Sequence, residues 1–554
     1  MIGTGSVGGK ASGLLFIDRF LRSDLPENKA AEFDVHVPVF TVIGTDVFDA
    51  FLDRNKLLDF VLSDSADDVL ALEFQKAHLP AEILGDLRGL IEKVHTPLAV
   101  RSSSLLEDAL YQPFAGVYNT KMIPNNQPSP DIRFQKLMEA IKLVYASTFT
   151  RSAKDYMRAI GRTSREEKMA VIIQEVVGKR YENRFYPNVS GVARSFNFYS
   201  MGRAKPEDGV VDLALGLGKT IVDGGRCWTY SPAYPKLSAP FASAKAMLSQ
   251  TQTEFWAVNM GKPAAYDPIL ETEFMVQLGL QDAESDGTLR FLAGTYDAGS
   301  DRITTSLDIP GARVLNFGGL LIYEEMRLND AIKILLETSE RALKAPVEIE
   351  FAVTFNPNRI GFLQVRPMVV SEENVEIADN ELSGKNILLA SDKVLGNGVS
   401  DEIRDIVYVK PDCFEARHTP QIAQEVELVN RRLIDLDRPY LLIGFGRWGS
   451  SDPWLGIPVT WGQVCGARVI VEATKPGMDV ELSQGSHFFH NLTSFKVSYF
   501  SVAHSGDYKI DWEWLRKQPC TEELSFIRHV HVENPIRTKV DGRSSKGAIW
   551  HSSN

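Results

Sequence analysis

The amino-acid sequence predicts an α/β (α+β) protein with more than one domain. Three observations carry that expectation. Apolar runs of strand length alternate with longer segments whose apolar residues recur every three or four positions. The 554 residues exceed what one hydrophobic core organises, so on the order of two to four domains are expected. A polar, acidic stretch at 371–384, Ser-Glu-Glu-Asn through Glu-Leu-Ser-Gly, has linker composition. It divides the chain into residues 1–370 and a separate C-terminal α/β module at 385–554.

The elements follow in order. After a glycine-rich start, Ala11–Leu21 sets Leu14, Leu15, Ile17 and Phe20 on one helical face. Val35-His-Val-Pro-Val-Phe-Thr-Val-Ile43 reads as one strand, Thr45–Leu58 as helix, with more helix to about Val94. Pro97-Leu-Ala-Val-Arg101 is a short strand entering a serine-rich loop. Phe134–Ile160 reads as one long amphipathic helix and Met169–Val177 as a buried strand. Gly191–Tyr199 and Gly209–Leu215 read as paired strands, with another at Arg226–Tyr230. Helices at Ala242–Leu248 and Leu328–Leu343 flank strands at Leu289–Tyr296 and Ala312–Phe317. Val347–Val353 and Gly361–Val369 form a hairpin around Asn356-Pro-Asn. Strands and helices then alternate through the C-terminal module, without internal repeats or low-complexity segments.

Charged residues at 24% and apolar ones at 44% are ordinary for a folded globular chain. A net charge of −12 argues against a nucleic-acid partner, which calls for a basic surface. Cys227, Cys413, Cys465 and Cys520 are isolated, so free thiols in a reducing cytoplasm are expected rather than a disulfide framework. No apolar run reaches membrane-span length and no basic-then-apolar leader opens the chain, so neither a membrane partner nor export is expected. Because the first motif begins almost at Met1, an additional N-terminal domain or a homo-oligomer is also expected.

Three separated segments form one phosphate-handling set. In Gly8-Gly9-Lys10-Ala-Ser-Gly13-Leu, Lys10 stands between a glycine turn and a helix, where helix-end N–H groups add to its charge. The GxGxxG at Gly3, Gly5 and Gly8 has no strand before it, which weakens a dinucleotide-binding start. In Val100-Arg101-Ser-Ser-Ser, Arg101 ends a strand, and its planar fork suits phosphate oxygens. The serines and the Phe114-Ala-Gly116 turn offer hydroxyl and amide donors to the same anion. Pairing of Arg101 with Glu107 or Asp108 is the structural alternative. In the hairpin, Gln364 and Arg366 share a face, and Glu350 on the facing strand brings a carboxylate beside them. Magnesium needs only one or two carboxylates plus phosphate oxygens. A salt bridge between Glu350 and Arg366 is the alternative there.

These motifs resemble, in the same order, the N-terminal nucleotide-binding domain of the pyruvate phosphate dikinase and phosphoenolpyruvate synthase family, an ATP-grasp-type fold. The resemblance runs through GGKASGL, the Val-Pro pair at 37–38, VRSS with Glu107-Asp108 and Phe114-Ala-Gly, and Tyr145-Ala-Ser with Arg151 and Tyr156. It continues through Ala170-Val-Ile-Ile-Gln174 and Gly216-Leu-Gly218 to Glu350 and LQVRP. It implies that Lys10 and Arg101 contact ATP phosphates, that Gly116 and Thr120 line the nucleotide loop, and that Gln174 lies near the adenine. Glu350 and Gln364 would hold Mg2+ and the phosphate tail, and Arg366 would stabilise transferred charge. Lys10, Arg101 and Arg366 are thus the expected catalytic cations, since phosphoryl transfer needs positioning and charge neutralisation. The chain departs from the family at Lys219, where GLGE is usual and Gly216-Leu-Gly-Lys219-Thr220 stands, and in the strand Ser195-Phe-Asn-Phe.

The family passes phosphate to a histidine in a Thr-Ser-His context and then to a C-terminal barrel. The residues after 370 lack Thr-Ser-His and are too few for a barrel of about 250 residues. His418, His487 and His490 are the remaining candidate carriers. Tyr440-Leu-Leu-Ile-Gly444-Phe-Gly446-Arg-Trp-Gly449 with Glu472 has a Rossmann outline, but Pro453, Gly456 and Pro458 occupy the place of its helix. The expected function is an ATP- and Mg2+-dependent phosphotransferase acting on a histidine, a protein or a pyruvate-like small molecule. The alternatives are a non-catalytic ATP-binding module that regulates a partner protein, and an ATP-grasp ligase forming an acyl-phosphate.

Overall fold

The computed structural model describes residues 1–551 except 26, 28, 64, 106–115, 160–161, 199–202, 238–242, 263–264, 369, 371–374, 385, 451, 479–487, 489–490, 493–494 and 543. Two sheets dominate residues 1–370. A four-stranded antiparallel sheet runs in the order Phe40–Ile43, Met169–Glu175, Leu98–Ser104, Thr120–Ile123. A seven-stranded sheet runs in the order Lys29–Ala30, Phe33–His36, Arg359–Pro367, Val347–Thr354, Val189–Arg194, Val210–Ala214, Trp228–Tyr230. Its one parallel pair joins Phe33–His36 to Arg359–Pro367.

The run expected as a single strand at 35–43 is two. Phe33–His36 enters the seven-stranded sheet and Phe40–Ile43 the four-stranded one. The break falls at Val37-Pro38-Val39, where proline cannot donate to a ladder. That one proline lets a single segment serve both sheets. The long helix expected over 134–160 is likewise two helices, Pro130–Ser147 and Arg151–Ala159. Together with Thr45–Arg54, Asp67–Lys76 and Ala81–Lys93 they form a helical lobe, in which Phe48, Phe51, Phe74, Tyr145 and Phe149 pack ring on ring.

The helix Gly8–Asp24 lies between the two sheets, touching Leu98–Ser104 and Arg359–Pro367. No side chain of its own caps its start. Ser103 does so from the neighbouring strand: its Oγ accepts from the Ala11 N–H at 3.0 Å and donates to the Val7 carbonyl at 2.8 Å. Gly8 makes the close approach possible, with φ at 75° and the Ser103 carbonyl oxygen only 1.8 Å from where a Cβ would sit.

The C-terminal residues form a nine-stranded sheet, with Asn397–Val409, Tyr440–Phe445, Ala467–Ala473 and Ser498–Val502 as a parallel run. Helix Thr419–Asp435 covers it. This half packs on the helical lobe, and one apolar cluster includes Phe51 and Tyr156 on one side and Trp461 and Val464 on the other. Arg431 reaches Asp155 at 3.3 Å and the Phe495 ring meets that of Tyr156 at 5.3 Å. Among the described residues, no helix is long and apolar enough to cross a membrane.

Gly8→Ala therefore meets both a left-handed backbone and a carbonyl. A loss of about 2–4 kcal/mol is expected in urea unfolding, with the first helix loosened from the Leu98–Ser104 strand.

Candidate functional site

A cleft of about 260 Å³ opens between the two sheets. Strand register fills one wall. Thr120 lies opposite Arg101, and Gln174 opposite Ala99, so these four side chains share a face. The other wall comes from the seven-stranded sheet, where Glu350 pairs with Gln364 across the hairpin and Ser190 and Ala352 lie alongside. Lys10 enters from the first turn of helix Gly8–Asp24, and Gly116 from the segment before strand Thr120–Ile123. Lys10, Arg101, Gly116, Thr120, Gln174, Glu350 and Gln364, all singled out in the sequence, are brought together here.

Arg101 joins the walls. Its Nη1 donates to the Leu363 carbonyl at 3.0 Å and to Gln174 Oε1 at 3.2 Å, and its Nη2 donates to Gln364 Oε1 at 2.8 Å. The Glu350 carboxylate stands 3.8 Å from Nη2. Arginine's rigid fork can bridge several acceptors at once, so the cation is held in place before any ligand arrives. Glu107 and Asp108, the alternative partners, lie outside the described residues. Glu350 Oε1 is buried and has no hydrogen-bond partner among the described residues. That orphaned anionic oxygen is what a hard cation would take up. No group of three or more His, Cys, Asp or Glu converges among the described residues, so such a cation would rest on few protein ligands and on phosphate oxygens.

Arg366 is placed differently. It shares the face of Gln364, as strand alternation requires, but lies outside the cleft lining. The ladder runs unbroken from Glu350–Gln364 through Ile349–Val365 to Glu348–Arg366, and Glu348 Oε1 accepts from Arg366 Nε at 2.6 Å. Glu348 Oε2 also takes Arg194 Nε at 2.5 Å. The ion pair of Arg366 is therefore with Glu348, not Glu350. Ser102, Ser103 and Ser104 are fully buried and do not line the cleft. Ser103 caps the first helix and Ser102 accepts from Lys10 Nζ at 3.3 Å.

Further residues outside the expected site set line the cleft. Lys219, the departure from the family pattern, lines the cleft and pairs with Asp223 at 2.8 Å, one helical turn on. Burial works against its charge, but Asp223 and Glu271 outweigh it and hold its pKa above the ordinary value. Glu271 lies in the same cleft, and burial pushes its carboxyl up despite Lys219. Met122, Val177, Leu217 and Met275 supply an apolar floor of the sort a planar base occupies. Lys121, next to Thr120, points the other way and is buried against Glu273 at 2.6 Å.

The C-terminal half reaches the mouth of the cleft. An opening of about 200 Å³ has Gly116, Val222 and Asp223 on one side and Gly449, Val459, Trp461 and Asn491 on the other. The glycine motif of that half is structural. Strand Tyr440–Phe445 runs not into a helix but into the two-residue strand Arg447–Trp448, paired with Gly456–Ile457. Gly446 takes φ at 72° beside the Leu455 carbonyl. Glu472 is buried, and its Oε1 accepts from the Trp448 N–H at 2.7 Å. His418 meets the Phe526 ring in a tilted contact at 4.9 Å outside the cleft; His487 and His490 lie outside the described residues.

The chain belongs to the family described as pyruvate phosphate dikinase, AMP/ATP-binding domain, whose model matches residues 4–385. It is also similar to a rifampicin phosphotransferase of Streptomyces sviceus, 28% identical over 205 residues. That match spans 34% of this chain and 22% of the relative. The mixed α/β architecture and the cleft between two sheets agree with the ATP-grasp-like fold expected of the family.

Burial raises the Glu472 carboxyl to about 7. The folded state then holds a proton that the unfolded chain releases near pH 4.5, so stability falls as pH rises between those values and levels off above 7. The drop expected from this group is about 3 kcal/mol. Glu472→Gln keeps the acceptor for Trp448 and removes that portion, measured as denaturant midpoint against pH.

Proposed function

We propose that this chain is an ATP- and Mg2+-dependent phosphotransferase. The observation that carries this is the meeting of Lys10, Arg101, Glu350 and Gln364, from four separate elements, in one cleft beside an apolar floor. The apolar floor takes the adenine, with Gln174 beside it. Lys10 and Arg101 face the phosphates, and Gly116 and Thr120 bring backbone against them. Glu350 and Gln364 would hold Mg2+, which supplies charge neutralisation at the phosphate oxygens. Arg366, held by Glu348 behind the Glu350–Gln364 pair, adds positive charge where negative charge builds up on the transferred group. Turnover to AMP breaks two phosphorus–oxygen bonds of ATP: the α–β bond breaks as the β phosphorus bonds the acceptor's nitrogen or oxygen, whose proton leaves, and the γ-phosphoryl passes to water as inorganic phosphate. Fixed cations act mainly by being in position before that moment. The acceptor is a histidine or another group, and it approaches through the mouth shared with the C-terminal half.

A second function, ATP binding that regulates a partner without turnover, draws on two observations. Lys219 is neutralised by Asp223 within the cleft, and the C-terminal half is joined to the helical lobe by continuous apolar packing. Incubation with ATP labelled separately in its β and γ phosphates distinguishes the two. Turnover to AMP with acid-labile label on a peptide or on pyruvate is expected. Unchanged nucleotide and unlabelled protein after long incubation would leave the regulatory function.

Two substitutions test the assignments. Glu350→Gln keeps the shape and removes the charge, so a drop in MgATP turnover of about a hundredfold or more is expected, with metal-free ATP affinity little changed in calorimetry. Arg366→Ala is expected to lower turnover as strongly while leaving the Kd for MgATP within about threefold.

A further inference from the structure

The nucleotide cleft and the opening at its mouth share a wall. Gly116, Val222 and Asp223 line both the cleft and the space of about 200 Å³ that the C-terminal half bounds on the far side. Met122 and Met275, of the apolar floor, line the cleft alone. The two spaces therefore adjoin at the Gly116 end, where phosphate is assigned, and not at the end assigned to the base. Asp223 closes the short helix Lys219–Val222. Its Oδ2 takes Lys219 Nζ at 2.8 Å, and 31% of its side chain stays accessible. A carboxylate has room for about four donors, so this pairing leaves it able to accept from a molecule in the opening.

The far wall is of a different kind. Val459, Trp461 and Phe488 are buried and line the opening. Trp461 is fixed between two rings, stacked on Phe495 at 5.4 Å and edge-on to Phe488 at 5.6 Å, so this surface is in place before a ligand arrives. Among the described residues, Asp223 is the one charge around the opening. An anion entering there meets a carboxylate and no cation of the wall, which disfavours it. An uncharged molecule with a flat apolar body meets no such cost. At about 200 Å³ the opening is smaller than a drug-sized pocket of about 300 Å³ or more, so a one-ring compound is its scale.

We propose that this opening is the acceptor subsite, taking an uncharged hydroxyl compound with a flat apolar body, and that Asp223 is the catalytic base there. This assignment rests on the phosphotransferase function and gives its acceptor a chemical class. The hydroxyl oxygen bonds the β phosphorus of ATP as the α–β bond breaks and AMP leaves. The hydroxyl proton passes to Asp223 and then to solvent. The γ-phosphoryl passes to water as inorganic phosphate, and the product is a phosphate monoester. A carboxylate beside the attacking hydroxyl speeds such a step by about 10²–10⁴, and Lys219 holds this one by its other oxygen.

The experiment gives the full chain MgATP with benzyl alcohol, or with benzoate as its anionic counterpart, and follows products by phosphorus NMR. Benzyl phosphate is expected, together with AMP and inorganic phosphate, and benzoate should neither react nor compete. Asp223→Asn should slow this by about a hundredfold or more, with the KM for MgATP within about threefold. Lys219→Met breaks the same ion pair but keeps the base, and should cost less than about tenfold in kcat. Formate should restore part of the rate to Asp223→Ala, which a merely structural carboxylate would not show. Thr460→Trp, at an exposed position beside the far wall, should raise the KM for benzyl alcohol about tenfold and leave ADP affinity in calorimetry as it was. The assignment is overturned if AMP forms while the alcohol stays unphosphorylated, if benzoate competes as well as the alcohol, or if Lys219→Met loses as much kcat as Asp223→Asn. ATP left intact under every condition is a separate failure, which removes the phosphotransferase function itself and the base with it.

Discussion

The arrangement of residues 1–370 depends on the Arg101 guanidinium. It leaves the middle of strand Leu98–Ser104 in one sheet and bonds a main-chain carbonyl and a side-chain amide on a strand of the other. Those partners lie more than 260 positions away in sequence, so nothing local predetermines the pairing. Each hydrogen bond to a charged donor contributes about 1.5–3 kcal/mol, and losing the donor would strand acceptors in a largely dry place. The group that sets the separation of the two sheets is also the cation facing the space between them. Fold and site are the same construction at that point.

Behind the cleft a second set of charges fixes the seven-stranded sheet. Arg366, Glu348, Arg194 and Asp212 alternate in sign across four adjacent strands, with Arg194 Nη1 at 3.8 Å from Asp212. Buried ion pairs add little net stability against apolar packing, but a mispaired one is costly. A slip of one residue would turn each charge to the other face, where Ile349, Phe351 and Ala193 now pack in the apolar core. The row therefore holds Glu350 and Gln364, two pairs further along the ladder, in register on the face that lines the cleft.

Most of this was legible in the sequence because it follows alternation. Gln364 and Arg366 share a face by strand period, and the hairpin brings Glu350 across from them, while Gln174 was placed beside Arg101 only through the family resemblance. What was not legible is of two kinds. Partner choice depended on exact hairpin register: with Glu350 opposite Gln364, Arg366 falls opposite Glu348. Pro38 divides one apolar run between two sheets. The other kind depends on chain crossings that no period encodes. Glu271 sits in a segment without motif, and it reaches the cleft because the neighbouring Glu273 is anchored by the buried Lys121. The serines after Arg101 read as ligand donors because serine is common at anion sites. Burial directs them instead to the start of the first helix.

The segment from Lys219 to Trp228 gives the departure from the family pattern a physical meaning. A glutamate at 219 would stand within a helical turn of Asp223 and near Glu271, three carboxylates in a cleft meant for phosphate. Like charges that close raise one another's pKa and repel an anionic ligand. Lysine there pairs with Asp223 and offsets Glu271, so the cleft keeps a charge balance that admits phosphate. The same short helix, Lys219–Val222, is followed by the Gly224 carbonyl that receives Arg447 from the C-terminal half. A change of charge at 219 is thus felt at the seam between the two halves of the molecule. The C-terminal half stands at the mouth of the cleft, where Asp223, the partner of Lys219, lines the opening together with Gly449 and Trp461.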